Sequence, residues 1–138
     1  MKKLCIVIAD YYKDVSKMLL DGATSEVLKN KNNAVIKKIY HVPGAFEIPV
    51  TISKNINKYD GFVALGCVIK GETPHFDLIS KAVVKAIMDL SIESKKPIGN
   101  GIITCLNMKQ ALERANPKRK NIGGKAVLAV LRTLDNFK

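Results

Sequence analysis

Residues Phe62 to Ile69, FVALGCVI, form an unbroken apolar run about as long as one strand and apolar on both faces. A strand with one face in water would alternate, so this run predicts a parallel strand covered by helices on both sides. It stops at a polar turn, Lys70-Gly71-Glu72-Thr73-Pro74, and a new period begins at His75. Phe76, Ile79, Val83, Ala86 and Leu90 recur every three or four positions, which marks one face of a helix ending near Ser94 and Lys95. A buried strand therefore feeds a tight loop, and the loop feeds a helix with a histidine in its first turn. In open α/β sheets ligands bind beyond the carboxyl ends of the strands. A helix N-terminus at that edge offers an anion free backbone N–H groups and a partial positive charge. Lys70 adds a full charge beside it.

The rest of the chain repeats this grammar. Leu4 to Ala9 is a second apolar strand, followed by an Asp10 to Asp14 loop and a helix face of Val15, Met18, Leu19, Ala23, Val27 and Leu28. After the polar turn Lys29 to Asn33, Ala34 to Tyr40 alternates apolar and basic residues and predicts a strand with one exposed edge or face. His41 to Glu47 is a loop punctuated by Pro43 and Gly44, and a helix is expected from about Ile48 to Ile56. Pro97 to Cys105 predicts a fourth strand, interrupted at Gly99, Asn100 and Gly101. Met108 to Ala115 is a helix that Asn116-Pro117 breaks, and a last helix runs from about Gly123 or Gly124 to Leu134. The order β-α-β-α-β-α-β-α-α implies a parallel sheet with right-handed crossovers and helices on both faces. The expected fold is an α/β three-layer sandwich with a four-stranded parallel sheet in flavodoxin-like order 2-1-3-4, one domain over residues 1–138.

Charge and cysteine usage narrow the function classes. The chain of 138 residues carries 23 Lys and Arg against 12 Asp and Glu, a formal net charge of +11. The excess fits either a well-solvated lysine-rich surface or an anionic substrate. The basic residues lie in short scattered groups such as Lys37-Lys38 and Lys118 to Lys120, with no Trp among them, which argues against nucleic acid. Cys5, Cys67 and Cys105 lie far apart in expected strands, with no CxxC pair, so neither a structural metal site nor a disulfide framework is expected. Met1-Lys2-Lys3 runs straight into a strand, unlike a signal peptide, and no apolar stretch reaches membrane-spanning length. A cytoplasmic protein without a membrane partner is expected.

The loops after the four strands gather on one rim: Asp10 to Asp14, Pro43 to Glu47, Lys70 to His75 and Thr104 to Met108. A response-regulator receiver would end its third strand in a phospho-accepting Asp, and this strand ends in Lys70-Gly71. Asp10-Tyr11-Tyr12-Lys13 is not a flavin phosphate loop, and there is no GxGxxG, GxxxxGK[ST] or nucleophile elbow. What remains is a metal-free site with one histidine, cationic groups and aromatics. His75 either exchanges protons or caps its helix. Tyr11 and Phe46 either stack on a planar ring or pack their loops. Arg114 and Lys118 either grip a phosphate or end a solvated helix. His41 is taken as a surface residue.

Three spaced motifs now identify a family. Val42-Pro43-Gly44-Ala45-Phe46-Glu47-Ile48-Pro49, Gly66-Cys67-Val68-Ile69-Lys70-Gly71-Glu72-Thr73-Pro74-His75-Phe76-Asp77, and Asn100 to Thr104 with Gln110 to Ala115 together resemble 6,7-dimethyl-8-ribityllumazine synthase. The resemblance implies condensation of 5-amino-6-(D-ribitylamino)uracil with 3,4-dihydroxy-2-butanone 4-phosphate, releasing phosphate and water, with no cofactor. It places Tyr11 on the pyrimidine, Ala45, Phe46 and Glu47 on the ribityl chain, and backbone groups of Val68 and Ile69 on the uracil edge. Asn100 falls at a heterocycle-contacting position that is often aromatic. Glu72 and Thr73 would give amide N–H groups to the phosphate, Arg114 its charged fork, and His75 the proton transfer, with Lys70 in a secondary phosphate or structural role. Asp10 stands where an Arg is common. Asn121-Ile122-Gly123-Gly124 replaces a frequent Asn-Lys-Gly, so that Lys118 or Lys120 would compensate. The family forms pentamers with sites between subunits, and some members build a sixty-subunit shell. The resemblance implies a homo-oligomer, here a free pentamer, with riboflavin synthase as a candidate partner. The competing readings are an archaeal-type riboflavin synthase and an inactive flavin- or RNA-binding module.

Overall fold

The computed structural model describes residues 1–71 and 75–138. The elements are β1 (Lys2–Ala9), α1 (Lys13–Lys29), β2 (Ala34–Val42), a 3-10 turn (Ala45–Glu47), α2 (Ile48–Lys54) and β3 (Gly61–Ile69), followed by α3 (His75–Ser94), β4 (Ile98–Cys105), α4 (Met108–Ala115) and α5 (Ile122–Asp135). The sheet is parallel throughout, in the order β2-β1-β3-β4. The α/β sandwich expected from the apolar runs is therefore the one the chain adopts. β3 is buried from Gly61 to Cys67, as a central strand clad on both faces must be.

The alternation of side chains along each strand divides the core in two. Leu4, Ile6, Ile8, Val63 and Leu65 face α1, α4 and α5, where Leu19, Ala23, Ala111, Val127 and Val130 close over them. Cys5, Val7, Phe62, Ala64 and Ile102 face α2 and α3, meeting Ile48, Ile52, Val83 and Ile87.

Boundaries differ from the sequence reading in instructive ways. β1 starts at Lys2, because an exposed lysine can still extend the ladder. β2 runs on to Val42, and α2 stops at Lys54 rather than Ile56. Most informative is β4, which is continuous through Gly99, Asn100 and Gly101, where an interruption was expected. These glycines are small for packing. A Cβ on Gly99 would collide with the Ala126 carbonyl of α5, and one on Gly101 would lie 2.9 Å from the Ala64 carbonyl oxygen. The seam continues between helices, since a Cβ on Gly123 would strike the Leu19 carbonyl of α1. Asn121 starts α5 in the left-handed region, φ 48°, where its side chain accepts the Gly124 N–H.

Candidate active site

The sheet's carboxyl edge opens into a cleft of about 410 Å³. Its walls come from four places. Tyr11 and Tyr12 follow β1, Gly44, Ala45 and Phe46 follow β2, and Cys67 to Ile69 end β3. His75, Phe76 and Ile79 of α3 close the remaining side. Of the predicted site residues, Tyr11, Ala45, Phe46, Val68, Ile69 and His75 are thus brought to one place.

Two exposed aromatics flank this space, Tyr11 at 74% and Phe46 at 66% exposure. Exposed rings of this size fit surfaces awaiting a flat or flexible ligand better than loop fillers do. Tyr11 is braced edge-to-face on Tyr12, with ring centroids 4.9 Å apart. Ala45 is buried beneath. Glu47 holds the loop's shape, because its Oε1 accepts the Gly44 N–H at 3.0 Å.

The floor has a feature that follows from register alone. β1 pairs with β3 only as far as Ile8 opposite Leu65, whereas β3 pairs with β4 as far as Ile69 opposite Cys105. β3 outruns its inner neighbour, so among the described residues the backbone groups of Cys67 to Ile69 on that side belong to no ladder. Main-chain N–H and C=O groups in that state need partners. A heterocycle edge with alternating donors and acceptors would supply them.

His75 is the exposed first residue of α3 and lines the same cleft. Glu72 and Thr73 lie outside the described residues. Lys70 is exposed, and its backbone N–H donates to the Cys105 carbonyl at 2.9 Å.

Asn100, Arg114 and Lys118 are not in this cleft. Asn100 sits mid-β4, opposite Ala64, exposed on an edge strand, with its Oδ1 accepting the Ile102 N–H at 3.1 Å. Arg114 is half-buried in the last turn of α4, where its Nη1 donates to the Thr104 carbonyl at 2.7 Å and lies 3.6 Å from Cys105 Sγ. Lys118 is exposed beyond α4, its backbone N–H bonded to Asn116 Oδ1 at 2.9 Å. Glu47 also stays outside the lining and acts on the loop that forms it.

Sequence reasoning missed Tyr12, Cys67, Phe76 and Ile79 as cleft walls, since an apolar residue lining a cleft carries the same periodic signal as one filling a core. It also treated His41 as a plain surface position, whereas His41 Nδ1 lies 2.9 Å from Asp10 Oδ2. Burial pushes the Cys67 thiol up to about 12, helped by the neighbouring Cys105 sulfur. Thiolate is the reactive form, so Cys67 should resist iodoacetamide at pH 8 in the folded protein although it lines the cleft. Peptide mapping after brief alkylation checks this, and prompt labelling of Cys67 would contradict it.

Among the described residues no helix is long and apolar enough to cross a membrane. The family model for 6,7-dimethyl-8-ribityllumazine synthase matches residues 1–138. The chain is 45% identical over 129 residues to the 6,7-dimethyl-8-ribityllumazine synthase of Bartonella tribocorum, covering 91% of this chain and 83% of that one. It is 46% identical over 120 residues to the enzyme of that name from Limosilactobacillus reuteri, covering 86% and 78%. It is 41% identical over 139 residues to 6,7-dimethyl-8-ribityllumazine synthase 1 of Rhodopseudomonas palustris, covering 96% and 83%. A cleft on the carboxyl rim of a 2-1-3-4 sheet, two of the three motifs meeting there, and a match running from the first residue to the last place this chain in the 6,7-dimethyl-8-ribityllumazine synthase family.

Proposed function

We propose that the protein is the transferase of riboflavin biosynthesis that joins 5-amino-6-(D-ribitylamino)uracil to 3,4-dihydroxy-2-butanone 4-phosphate, giving 6,7-dimethyl-8-ribityllumazine with release of phosphate and water. The observation that carries this reading is the convergence of His75, two exposed rings and an unladdered stretch of β3 on one cleft. Formation of riboflavin from the lumazine, the competing enzymatic reading, is not favoured by the family match.

Each part of the site has work suited to its chemistry. Tyr11 stacks on the pyrimidine, and the β3 main chain at Val68 and Ile69 meets the uracil edge. Ala45 and Phe46 line the path of the ribityl chain, and Glu47 accepts from its hydroxyls. The 5-amino group of the pyrimidine attacks a carbonyl of the butanone and one water leaves as the imine forms, phosphate is eliminated, and the ribitylamino nitrogen closes the ring on the second carbonyl with loss of a second water. Each step moves a proton between nitrogen, carbon and oxygen, and the His75 imidazole is the group in the cleft suited to carry them. Holding two reactants together contributes most of the acceleration.

The residues absent from the cleft point to a second copy. Asn100 lies on the open edge of β4, and Arg114 and Lys118 lie on and beyond α4. α3 exposes Leu78, Val84, Met88 and Ile92, at 62%, 40%, 56% and 66%. An apolar helix stripe of that kind is suited to burial against a copy of itself. In this reading the protein is a homo-oligomer, a pentamer, in which one subunit's cleft is completed by Asn100, Arg114 and Lys118 of its neighbour. In this reading Arg114 grips the phosphate.

Purified protein mixed with both substrates should yield the lumazine absorbance together with inorganic phosphate. Well-folded protein that produces neither would overturn the assignment. Arg114→Ala should raise the KM for the phosphate substrate by about ten- to a hundredfold, the usual effect of losing a hydrogen bond to a charged group, and change the KM for the pyrimidine little. An unchanged phosphate KM would remove Arg114 from the site. Light scattering of the native particle tests the pentamer.

A further inference from the structure

We infer that His41 and Asp10 form a clasp that positions the pyrimidine-binding half of the cleft. The inference rests on the proposed function and adds to it two residues outside the cleft. β1 and β2 run in register to Ala9 opposite Val42, and the Asp10 N–H then donates to the Val42 carbonyl at 2.9 Å. One residue back along β2, the His41 imidazole reaches Asp10 Oδ2 at 2.9 Å. A carboxylate only accepts, so the ring donates its Nδ1–H. One backbone bond and one side-chain bond thus hold the strand ends on either side of the point where the two loops diverge. The next residues on those loops are Tyr11 and Tyr12 on one, and Pro43, Gly44, Ala45 and Phe46 on the other. Most of these residues line the cleft, and together they form its ring-stacking and ribityl walls.

The surroundings favour this pairing. Asp10 and His41 line a second, shallower hollow together with Ile8, Lys13, Ser16, Lys17 and Leu20. Lys17 is taken by Asp21 at 3.0 Å, and the Ser16 hydroxyl donates to the Ala9 and Tyr12 carbonyls at 2.7 and 2.9 Å. The base of the Tyr11 loop is therefore tied to α1 by Ser16 and to β2 by His41. Neither His41 nor Asp10 is among the residues lining the cleft, so their effect on catalysis is through Tyr11 and Phe46.

The pair is half-exposed, 54% and 38%. Exposed ion pairs carry at most about a fivefold factor in an equilibrium, so His41→Ala and Asp10→Ala should each raise the KM for the pyrimidine substrate about two- to fivefold. The KM for the phosphate substrate and kcat should hardly move, because His75 lies on another element. The double variant should be no worse than either single one. His41→Asn, whose amide can present an N–H near the place of Nδ1, should restore the wild-type KM. A role confined to stability would lower the unfolding midpoint and the apparent kcat while leaving both KM values at wild type. Wild-type pyrimidine KM in both single variants, additive losses, or no rescue by asparagine would overturn the clasp. If the wild-type protein makes no lumazine, the assigned reaction fails and the clasp is judged by hydrogen exchange. Amides of residues 10–13 and 44–46 should then exchange faster in His41→Ala and not in His41→Asn; equal rates in wild type and His41→Ala would overturn it.

Discussion

Replacing His75 with alanine should lower kcat about a hundredfold while leaving the fold and the particle size unchanged. The magnitude is the lower end of what a positioned acid or base contributes, and it suits a reaction in which two bound substrates retain their mutual orientation after the imidazole is gone. The fold should survive because His75 is exposed at the start of α3, and exposed substitutions away from special features shift stability by only about 0.5 kcal/mol. Both KM values should stay near wild type, since the groups proposed to bind the substrates, the Tyr11 and Phe46 rings and the β3 main chain, are untouched. Steady-state assays with each substrate varied, together with light scattering, decide the matter. A variant that turns over at the wild-type rate would take the proton-transfer role away from this residue.

The largest loss of stability should come from a single methyl group far from the cleft. Gly123→Ala puts a Cβ against the Leu19 carbonyl oxygen, with the Leu19 carbonyl carbon 3.0 Å away and the Ala23 nitrogen at 3.2 Å. All three are backbone atoms inside α1, which cannot swing aside as a side-chain tip would. α5 cannot easily retreat either, because it is held on its other side through Ala126 and Val130 against Gly99 of β4. Overpacking of this kind costs about 3 kcal/mol, alanine's better helix propensity returns about 1 kcal/mol, and the net of about 2 kcal/mol should lower the unfolding midpoint by about 8 °C. Gly71→Ala, in a loop, is the uncrowded control, because among the described residues nothing lies within 4 Å of its would-be Cβ. Equal midpoints for Gly123→Ala and wild type in a thermal scan would mean that the two helices do not meet as closely as described.

The same glycines show where a sequence is legible and where it is not. Phe62 to Ile69 announced a central strand because burial through Cys67 leaves no polar position in the run, and Leu4 to Ala9 did so for the same reason. Gly99-Asn100-Gly101 looked like a break, because a missing side chain carries no mark of what is pressed against it. The topology was enough to bring the four loops to one rim, and with them Tyr11, Phe46 and His75. It could not separate those from Asn100 and Arg114, which the family resemblance implies share the site and which the single chain holds apart from the cleft. Nor could it pair His41 with Asp10, because their meeting depends on the register of β1 against β2 across 31 residues of chain.

The overhang of β3 beyond β1 also bears on how this protein can drift. Where a ligand's edge is met by amides and carbonyls, the genetic code has little purchase on recognition, because every residue but proline offers the same pair of groups. In the proposed reading, Val68 and Ile69 are free to exchange with other aliphatic residues without altering which ring is chosen. An insertion or deletion inside β3, by contrast, would slide the whole row of donors and acceptors out of step with the ligand.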